Sequence, residues 1–459
     1  MKRRNFLTGS ALASSGLLMG INACNPKDGK KISEDVSAAG TDRLAGQTMK
    51  QLLEQYRSYL FDDFLPFMEN YVIDHTYGGF MCNTGRDGTN ITQDKRAWYE
   101  GRGIWVYAFL YNKLKKDPQY LEIARKSVEF VLKNEPSGDN LWTGSFSREG
   151  KPVGDPPNNI YGDLFIANGL SEYSQASGEE KYWDKAKEIL LKCLRIYNRP
   201  DYGYVVTYGP GGTYNLKTAT ANHNISPLEV KHAKGPRVLG HWMVIIRLVT
   251  QMLEQRSDPE LEKIADECVD AIMNYHFNPE FNLFNEVLNH DLSRAEGAFS
   301  QFVYTGHAIE TLWMLLYEAE RRKDEVLLNL VAERFKRHVE VAWDDVYGGV
   351  FRALDNVNEN IWKVDKVLWA QEEVLIGTLF MIEHTGDQWA KDMFTRMYDY
   401  VIDKFPLKQY GYPLWILGSD RKVTFEEQYT RIGNFHHPRH LMLNILSLER
   451  MIDRKTKNK

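Results

Sequence analysis

The chain has 459 residues, with 57 Lys and Arg against 62 Asp and Glu, a formal net charge of −5. That length excludes a single small domain but admits one large helical barrel. The mild acidity, with no basic block, argues against a nucleic-acid partner.

In chain order, the first element is a targeting segment over residues 1–24. "KRRNFLTGSALASSGLLMGINAC" has a basic start, an apolar stretch from Phe6 to about Ile21, and small residues before a cysteine. Arg3-Arg4 followed by Asn5, Phe6 and Leu7 resembles a twin-arginine export signal, and Ile21-Asn22-Ala23-Cys24 resembles a bacterial lipobox. The expectation is an exported lipoprotein, periplasmic or outer-membrane-associated, that meets the membrane only through a lipid on Cys24. Residues 25–45 are small and polar and suit a flexible tether. No later apolar run reaches transmembrane length. Cys82, Cys193 and Cys268 are too widely spaced for a disulfide framework or a zinc site and are expected as buried packing residues.

From residue 46 to about 455 the chain repeats. Turn-like clusters rich in aromatics and glycine begin at Asp74 ("DHTYGGF"), Asp139 ("DNLWTGSF"), Asp201 ("DYGYVV"), Glu280 ("EFNLFNE"), Asp344 ("DDVYGGVF") and Lys408 ("KQYGYPLW"), in steps of 65, 62, 79, 64 and 64. The first and fifth are close copies. Between clusters, stretches such as "WVYAFLYNKLKK", "YLEIARKSVEFVLKN" and "YWDKAKEILLKCLRIY" carry apolar residues at three- and four-residue spacing, so each gap fits two helices. Six such units closing on themselves make an all-α (α/α)₆ barrel, and a closed ring needs no capping repeats. In that architecture the first turns of the inner helices line a central cleft. The chain's 11 Trp and 25 Tyr would supply flat faces there for stacking on pyranose rings.

The residues after each cluster are therefore the candidates. Trp98 and Arg102 share a helix face, and Arg102 offers a fixed fork of donors. "GPRVLGHWMVIIRL" puts His241 at the start of an apolar run. In "VYTGHAIETLWMLL", His307 lies in a first helical turn, where the positive helix end favours a neutral imidazole, and Glu310 follows at i+3 on the same face. A hydrogen bond between those two is the plainest structural expectation. "KVLWAQEEVLIGTLF" places Trp369 and Glu373 four apart, with Lys366 one turn earlier. "GNFHHPRH" holds His436, His437 and His440. His436 and His440 have i, i+4 spacing, but Pro438 lies between them and no third ligand is marked, so no metal is expected. "YGPGGTYN" at 208–215 lacks the Lys-Ser/Thr of a phosphate loop, and no cofactor is expected.

These motifs together resemble the N-acylglucosamine 2-epimerases and their cellobiose 2-epimerase and aldose–ketose isomerase relatives. "GGFMCNTGRDG…DKRAWYEGRGIWVYAFLY" looks like the family's first repeat and "YGDLFIANGLSEYSQASGE" loosely like its second. "TGHAIETLWML" resembles Pro-Gly-His-x-x-Glu-x-x-Trp with Thr305 for proline. "KVLWAQEE" resembles Lys-x-Trp-Trp-Pro-x-x-Glu without one Trp and the Pro, and "NFHHPRHLM" resembles Phe-His-x-Pro-Arg. The resemblance covers about residues 46–452. It implies an (α/α)₆ barrel and 2-epimerisation of a free reducing sugar of the N-acylglucosamine/N-acylmannosamine type. His307 and His436 are then the acid/base pair, with Arg102, Trp98, Glu310, Trp369 and Glu373 around the sugar. His241 is carried over less directly, because a family Asn four residues before it is Arg237 here. A homodimer is compatible with the resemblance.

The chemistry wants such residues. The C2 proton of an open-chain aldose lies beside a carbonyl, and imidazole has the basicity suited to moving it. The resulting oxyanion needs fixed donors. Epimerisation needs a proton-transfer group on each face of C2, which two histidines supply. Aldose–ketose isomerisation or cellobiose 2-epimerisation at the same site are alternatives. Further ones are a glycoside hydrolase, which needs two flanking carboxylates such as Glu310, Glu373 or Asp163, and a non-catalytic sugar-binding lipoprotein.

Overall fold

Two kinds of helix alternate along the chain, and their composition decides which lies inside. In a computed structural model, which describes residues 43–85, 87–154, 157–204, 206, 235–407, 412–413, 416–417 and 433–457, they are, in order, α1 (49–72), α2 (Ala97–Phe109, carried on by Leu110–Leu114), α3 (Pro118–Leu132), α4 (Tyr161–Ser177), α5 (Lys181–Tyr197), α6 (Leu239–Gln255), α7 (Pro259–Asp270, carried on by Ala271–His276), α8 (Thr305–Arg322), α9 (Glu325–Ala342), α10 (Leu368–Thr385), α11 (Gln388–Lys404) and α12 (His436–Lys457). The export signal, Cys24 and most of the tether lie outside the described residues, as does 208–215. Arg43–Leu44, at the tether's end, pair with Gln47–Thr48 in a short antiparallel ladder.

The even-numbered helices from α2 to α10 are buried on nearly all sides, and α12 over its first half. Every residue from Leu239 to Leu253 in α6, and from Leu368 to Glu383 in α10, is buried. Such helices must be surrounded by protein. The odd-numbered helices carry one stripe: α5 buries Trp183, Ala186, Ile189, Leu190, Cys193, Ile196 and Tyr197 and leaves its Lys and Glu residues outward. The even helices accordingly pack against one another in succession from α2 to α12. The ring closes where the Phe435 ring meets Trp105 (5.4 Å) and the Asn434 amide donates to the Tyr99 carbonyl (2.9 Å). This is the expected (α/α)₆ barrel, with one change in its bookkeeping. Five helix pairs follow a turn cluster each, but the sixth pair is made from the two ends of the described chain, α12 with α1.

Inner-to-outer connections are short, and each carries a helix cap on at least one side. Gly178, Lys323 and Gly386 close α4, α8 and α10 in the left-handed conformation. Asp117, Asp258, Asp324 and Asp387 accept backbone N–H bonds at the starts of α3, α7, α9 and α11, the first two ahead of a proline. Outer-to-inner connections are long and lie at the opposite end, where the inner helices begin. Short antiparallel ladders join neighbouring long loops in pairs: Lys95–Arg96 with Ser145–Phe146, Arg237–Val238 with Val287–Leu288, and Lys366–Val367 with Ile416–Leu417. Cys82, Cys193 and Cys268 are buried, as expected of packing residues, and no described helix is long and apolar enough to cross a membrane.

The copied first and fifth clusters build the same device. Asp74 and Asp344 each cap a tight turn by accepting backbone N–H bonds, from Thr76 and Tyr77 and from Val346 and Tyr347. A buried lysine then reaches both that carboxylate and a turn carbonyl. Lys95 Nζ lies 3.0 Å from Asp74 and donates to Gly78 O, and Lys366 Nζ lies 2.5 Å from Asp344 and donates to Gly348 O. Burial alone would raise the Asp74 carboxyl, yet Arg148 and Lys95 bring it down to about 2. Lys366 is therefore turned away from Trp369 and Glu373, beside which the sequence places it, and braces a turn. Replacing Lys366 by Met strands a buried carboxylate. Urea unfolding is expected to show a loss of about 3–5 kcal/mol, and a loss under about 1 kcal/mol would contradict this role.

Candidate active site

At the end of the barrel where the inner helices start, their first two turns bring most of the candidate residues together. α12 begins at His436, and Arg439, one turn on, is fully buried. The same terminal nitrogen of Arg439 donates to Glu310 Oε1 of α8 and to Glu373 Oε1 of α10, both at 2.6 Å. Glu373 also accepts from Trp313 Nε1 (2.6 Å), and its Oε1 lies 2.7 Å from His436 Nδ1. Burial drives His436 well below the ordinary histidine range; Glu310 opposes this, and the positive charges of Arg439 and Arg102 add to it. His436 is thus a neutral imidazole. Its Nδ1 faces both Glu373 Oε1 and Arg439 Nη2, the latter at 3.0 Å, which leaves Nε2 outside this network.

His307 stands in the first turn of α8. Its Nδ1 lies 2.9 Å from Glu286 Oε1, and its side chain keeps 17 % exposure. Glu286 is fully buried. Its backbone joins the surrounding loops, donating to Phe302 O and accepting from Leu239 N. The expected bond from His307 to Glu310 is not made, because Glu310 is engaged by Arg439. Thr305, where the motif has proline, fixes the helix start by donating to the carbonyls of Phe351 and Arg352 (2.6 and 2.8 Å).

Both imidazoles lie against one ring. The Trp369 centroid is 5.9 Å from His307 and 5.2 Å from His436, with Tyr304 at 6.0 Å. A side chain on Gly306 would meet the Trp369 ring at 2.5 Å, so the close seating of α10 on α8 needs glycine there. Arg102 of α2 sits over three ring faces, Phe165 at 4.1 Å and Trp98 and Phe435 at 5.0 Å. These rings hold the guanidinium in place.

His241 is placed differently from the other candidates. It is fully buried among Tyr161, Tyr204, Tyr197 and Tyr202, with centroids 4.4, 4.8, 5.3 and 6.2 Å away. Neither ring nitrogen has a hydrogen-bond partner among the described residues. Burial first, then the charges of Arg237 and His307, push its pKa down to about 3. Arg237, four residues earlier, is tied to the Tyr197 and His290 carbonyls (2.8 and 3.0 Å) and stacks on Tyr197. The hydroxyl at the cleft edge is that of Tyr161. It is buried and has no hydrogen-bond partner among the described residues. A Cβ on Gly240 would lie 2.2 Å from that hydroxyl and 3.0 Å from His307 Cε1, so it is adjacent to His307.

Asp163 is buried on Lys192 (2.8 Å) and accepts from Trp142 N (3.1 Å). Glu310 and Glu373 share one guanidinium nitrogen. Neither arrangement gives the two separated carboxyl groups of a glycosidase. Sequence reasoning missed Glu286, Tyr161, Tyr304 and Trp313. Glu286 ends the cluster "EFNLFNE", where nothing local distinguishes it from a turn residue.

The family model described as N-acylglucosamine 2-epimerase (GlcNAc 2-epimerase) matches residues 78–229 and 236–438. The N-acylglucosamine 2-epimerase of Mus musculus is 25 % identical over 417 residues, covering 88 % of this chain and 92 % of that protein. The cellobiose 2-epimerase of Dictyoglomus turgidum is 24 % identical over 367 residues, covering 78 % and 89 %. Among solved structures, cellobiose 2-epimerase from Spirochaeta thermophila superposes with a TM-score of 0.70 at 17 % identity, covering 88 % of this chain and 98 % of that one.

The buried state of His241 has a consequence for stability. Its folded pKa of about 3 lies below the ordinary 6.5. As pH falls through 6.5 the unfolded chain takes up a proton that the folded chain refuses, so this group's contribution is present above 6.5 and lost on acidification. Between pH 7 and pH 5 the loss amounts to about 2 kcal/mol. In His241→Phe the difference in unfolding free energy between those two pH values should shrink by about that amount. An unchanged difference would mean that His241 is solvated.

Proposed function

The chain belongs to the N-acylglucosamine 2-epimerase family, and on that premise we propose that it is an isomerase that epimerises a free reducing sugar at C2 through His307 and His436. The observation that carries this reading is the pair of imidazoles. Each has a carboxylate on Nδ1, and both lie against Trp369.

The sugar reacts in its open-chain form. One imidazole takes the proton from C2, the C–H electrons form the C1–C2 double bond, and the carbonyl oxygen becomes the oxyanion of an enediolate. Arg102, held on its aromatic seat, is the donor for that oxyanion. The second imidazole, already protonated, delivers a proton to C2 on the opposite face, which inverts the centre and regenerates the carbonyl. The pair ends with its protons exchanged. His436, neutral by burial, suits the role of acceptor. Glu286 and Glu373 hold the rings by Nδ1 and steady whichever imidazolium forms. Tyr161 and Trp369 supply a hydroxyl and a flat face beside the reacting carbons, and Glu310 works through Arg439.

The substrate class is N-acylglucosamine and N-acylmannosamine, with a β-linked glucose disaccharide as the second candidate. Arg3-Arg4 and Cys24 add the reading that the enzyme is exported and lipid-anchored, where it meets sugars released outside the cytoplasm.

Incubation with aldoses in deuterated water should place deuterium at C2 of both epimers. Deuterium at C1 of a ketose instead would make the enzyme an aldose–ketose isomerase. His307→Asn and His436→Asn should each lower the exchange by at least about 10²-fold. Full exchange in either would refute the assignment of that histidine.

A further inference from the structure

Among the described residues two clusters bring three carboxylate or imidazole groups within ligating reach, Glu310–Glu373–His436 and Glu372–His437–His440, with the ligand atoms of each within 4.8 Å of one another. The first already holds a cation, because Arg439 lies 2.6 Å from both of its carboxylates. The second does not. The groups bonded to Glu372 are His437 Nδ1 at 2.5 Å and His440 Nδ1 at 3.6 Å, with no Lys or Arg among them in the described residues. Glu372 and His440 are 1 % and 4 % exposed.

We propose that Glu372, His437 and His440 bind one divalent transition-metal cation of the zinc class. The donor set, two imidazole nitrogens and one carboxylate oxygen, is what such ions select, whereas calcium and magnesium prefer oxygen throughout. His437 and His440 stand three apart on one face of α12, and Glu372 faces them from α10.

The second imidazole is already oriented for the task. His440 Nε2 lies 3.1 Å from the Tyr56 hydroxyl, which in turn accepts from the Asn444 amide at 3.1 Å. This is the outer hydrogen bond that ligating histidines make with their other nitrogen. It leaves Nδ1 buried, aimed at Glu372, and without a hydrogen-bond partner among the described residues. On a tetrahedral zinc with bonds of about 2.0–2.1 Å, ligand atoms lie roughly 3.3 Å apart. The His440–Glu372 separation of 3.6 Å is close to that already. The His437–Glu372 contact has to open by roughly 0.8 Å, from hydrogen-bond to coordination spacing. His437 keeps 14 % side-chain exposure, so water can fill the fourth position from its side.

Among the described residues no Lys or Arg reaches this buried carboxylate, and a metal ion between it and the two imidazoles would supply a fixed positive charge there. None of the three residues is among the motif positions that carry the family resemblance. The site does not rest on the sugar chemistry. Its effect would be to clip α10 to α12 directly behind Glu373 and His436.

The test uses the whole chain, stripped with a chelator and titrated with Co²⁺, whose visible absorption reports nitrogen and oxygen coordination, followed by displacement with Zn²⁺. The expected result is one equivalent per chain, displaced by Zn²⁺, with the thermal midpoint rising as Zn²⁺ is added. The equivalent should be lost in Glu372→Gln and in His437→Gln. His437→Gln is the milder change, because that side chain reaches solvent, and it decides the matter if Glu372→Gln fails to fold by circular dichroism. No bound equivalent in the wild type overturns the proposal. So does retention in His437→Gln, or loss in His436→Asn alone, which would put the ion in the other cluster.

Discussion

The site hangs on one buried guanidinium. Arg439 donates from a single nitrogen to Glu310 and Glu373, and so ties α12 to α8 and α10 at the depth where the cleft ends. Taking such charges out of water costs several kcal/mol per ion, and it is sustained only when the geometry pairs them fully. Here Arg439 meets both carboxylates, and Trp313 and His436 take up further positions on Glu373, while the arginine's Nε has no hydrogen-bond partner among the described residues. The position of His436 is therefore not free. It is one turn from Arg439 on the same helix, and the carboxylate that orients its ring is the one that holds the arginine.

The two imidazoles each meet a carboxylate at Nδ1, by different routes. His436 receives its carboxylate from the neighbouring inner helix. His307 receives Glu286 from a long loop, and that loop is positioned by the ladder between Val287–Leu288 and Arg237–Val238 and by backbone bonds to Leu239 and Phe302. The loops at the mouth thus hold the carboxylate that faces His307. Their pairing explains why long connections, which are ordinarily variable, carry the turn clusters that make the repeat visible.

The fold was legible because its signals are local. Helix periodicity and the recurring aromatic–glycine turns lie within a few residues of the structure they specify. The copied clusters at Asp74 and Asp344 even predict a shared device, although its lysines became readable only once Lys95 and Lys366 were seen to turn back onto those aspartates. The residues the structure gathers at the cleft, His307, His436, Arg102, Trp98, Glu310, Trp369 and Glu373, could be named because each stands at an inner-helix start. Their partners could not. The i, i+3 spacing of His307 and Glu310 suggests a bond, but a competitor 129 residues away takes the carboxylate. His241 looks like its counterparts in sequence, and only the four tyrosines around it set it apart.

The last inner helix is far in sequence from α10, against which it packs. Its interface with α10 carries charge along its whole length. Glu372 meets His437, Glu373 meets His436 and Arg439, and Glu383, three turns further on, accepts from Ser447 and Arg450. A shift of α12 by one residue would separate all three carboxylates from their partners at once, inside a wall that is otherwise apolar. Apolar contacts tolerate such sliding far better than buried ion pairs do. The adjacent pairs Glu372–Glu373 and His436–His437 use the two sides of the same helices, one toward the cleft and one toward α1. The polar seam that orients His436 therefore also fixes the helix that closes the ring.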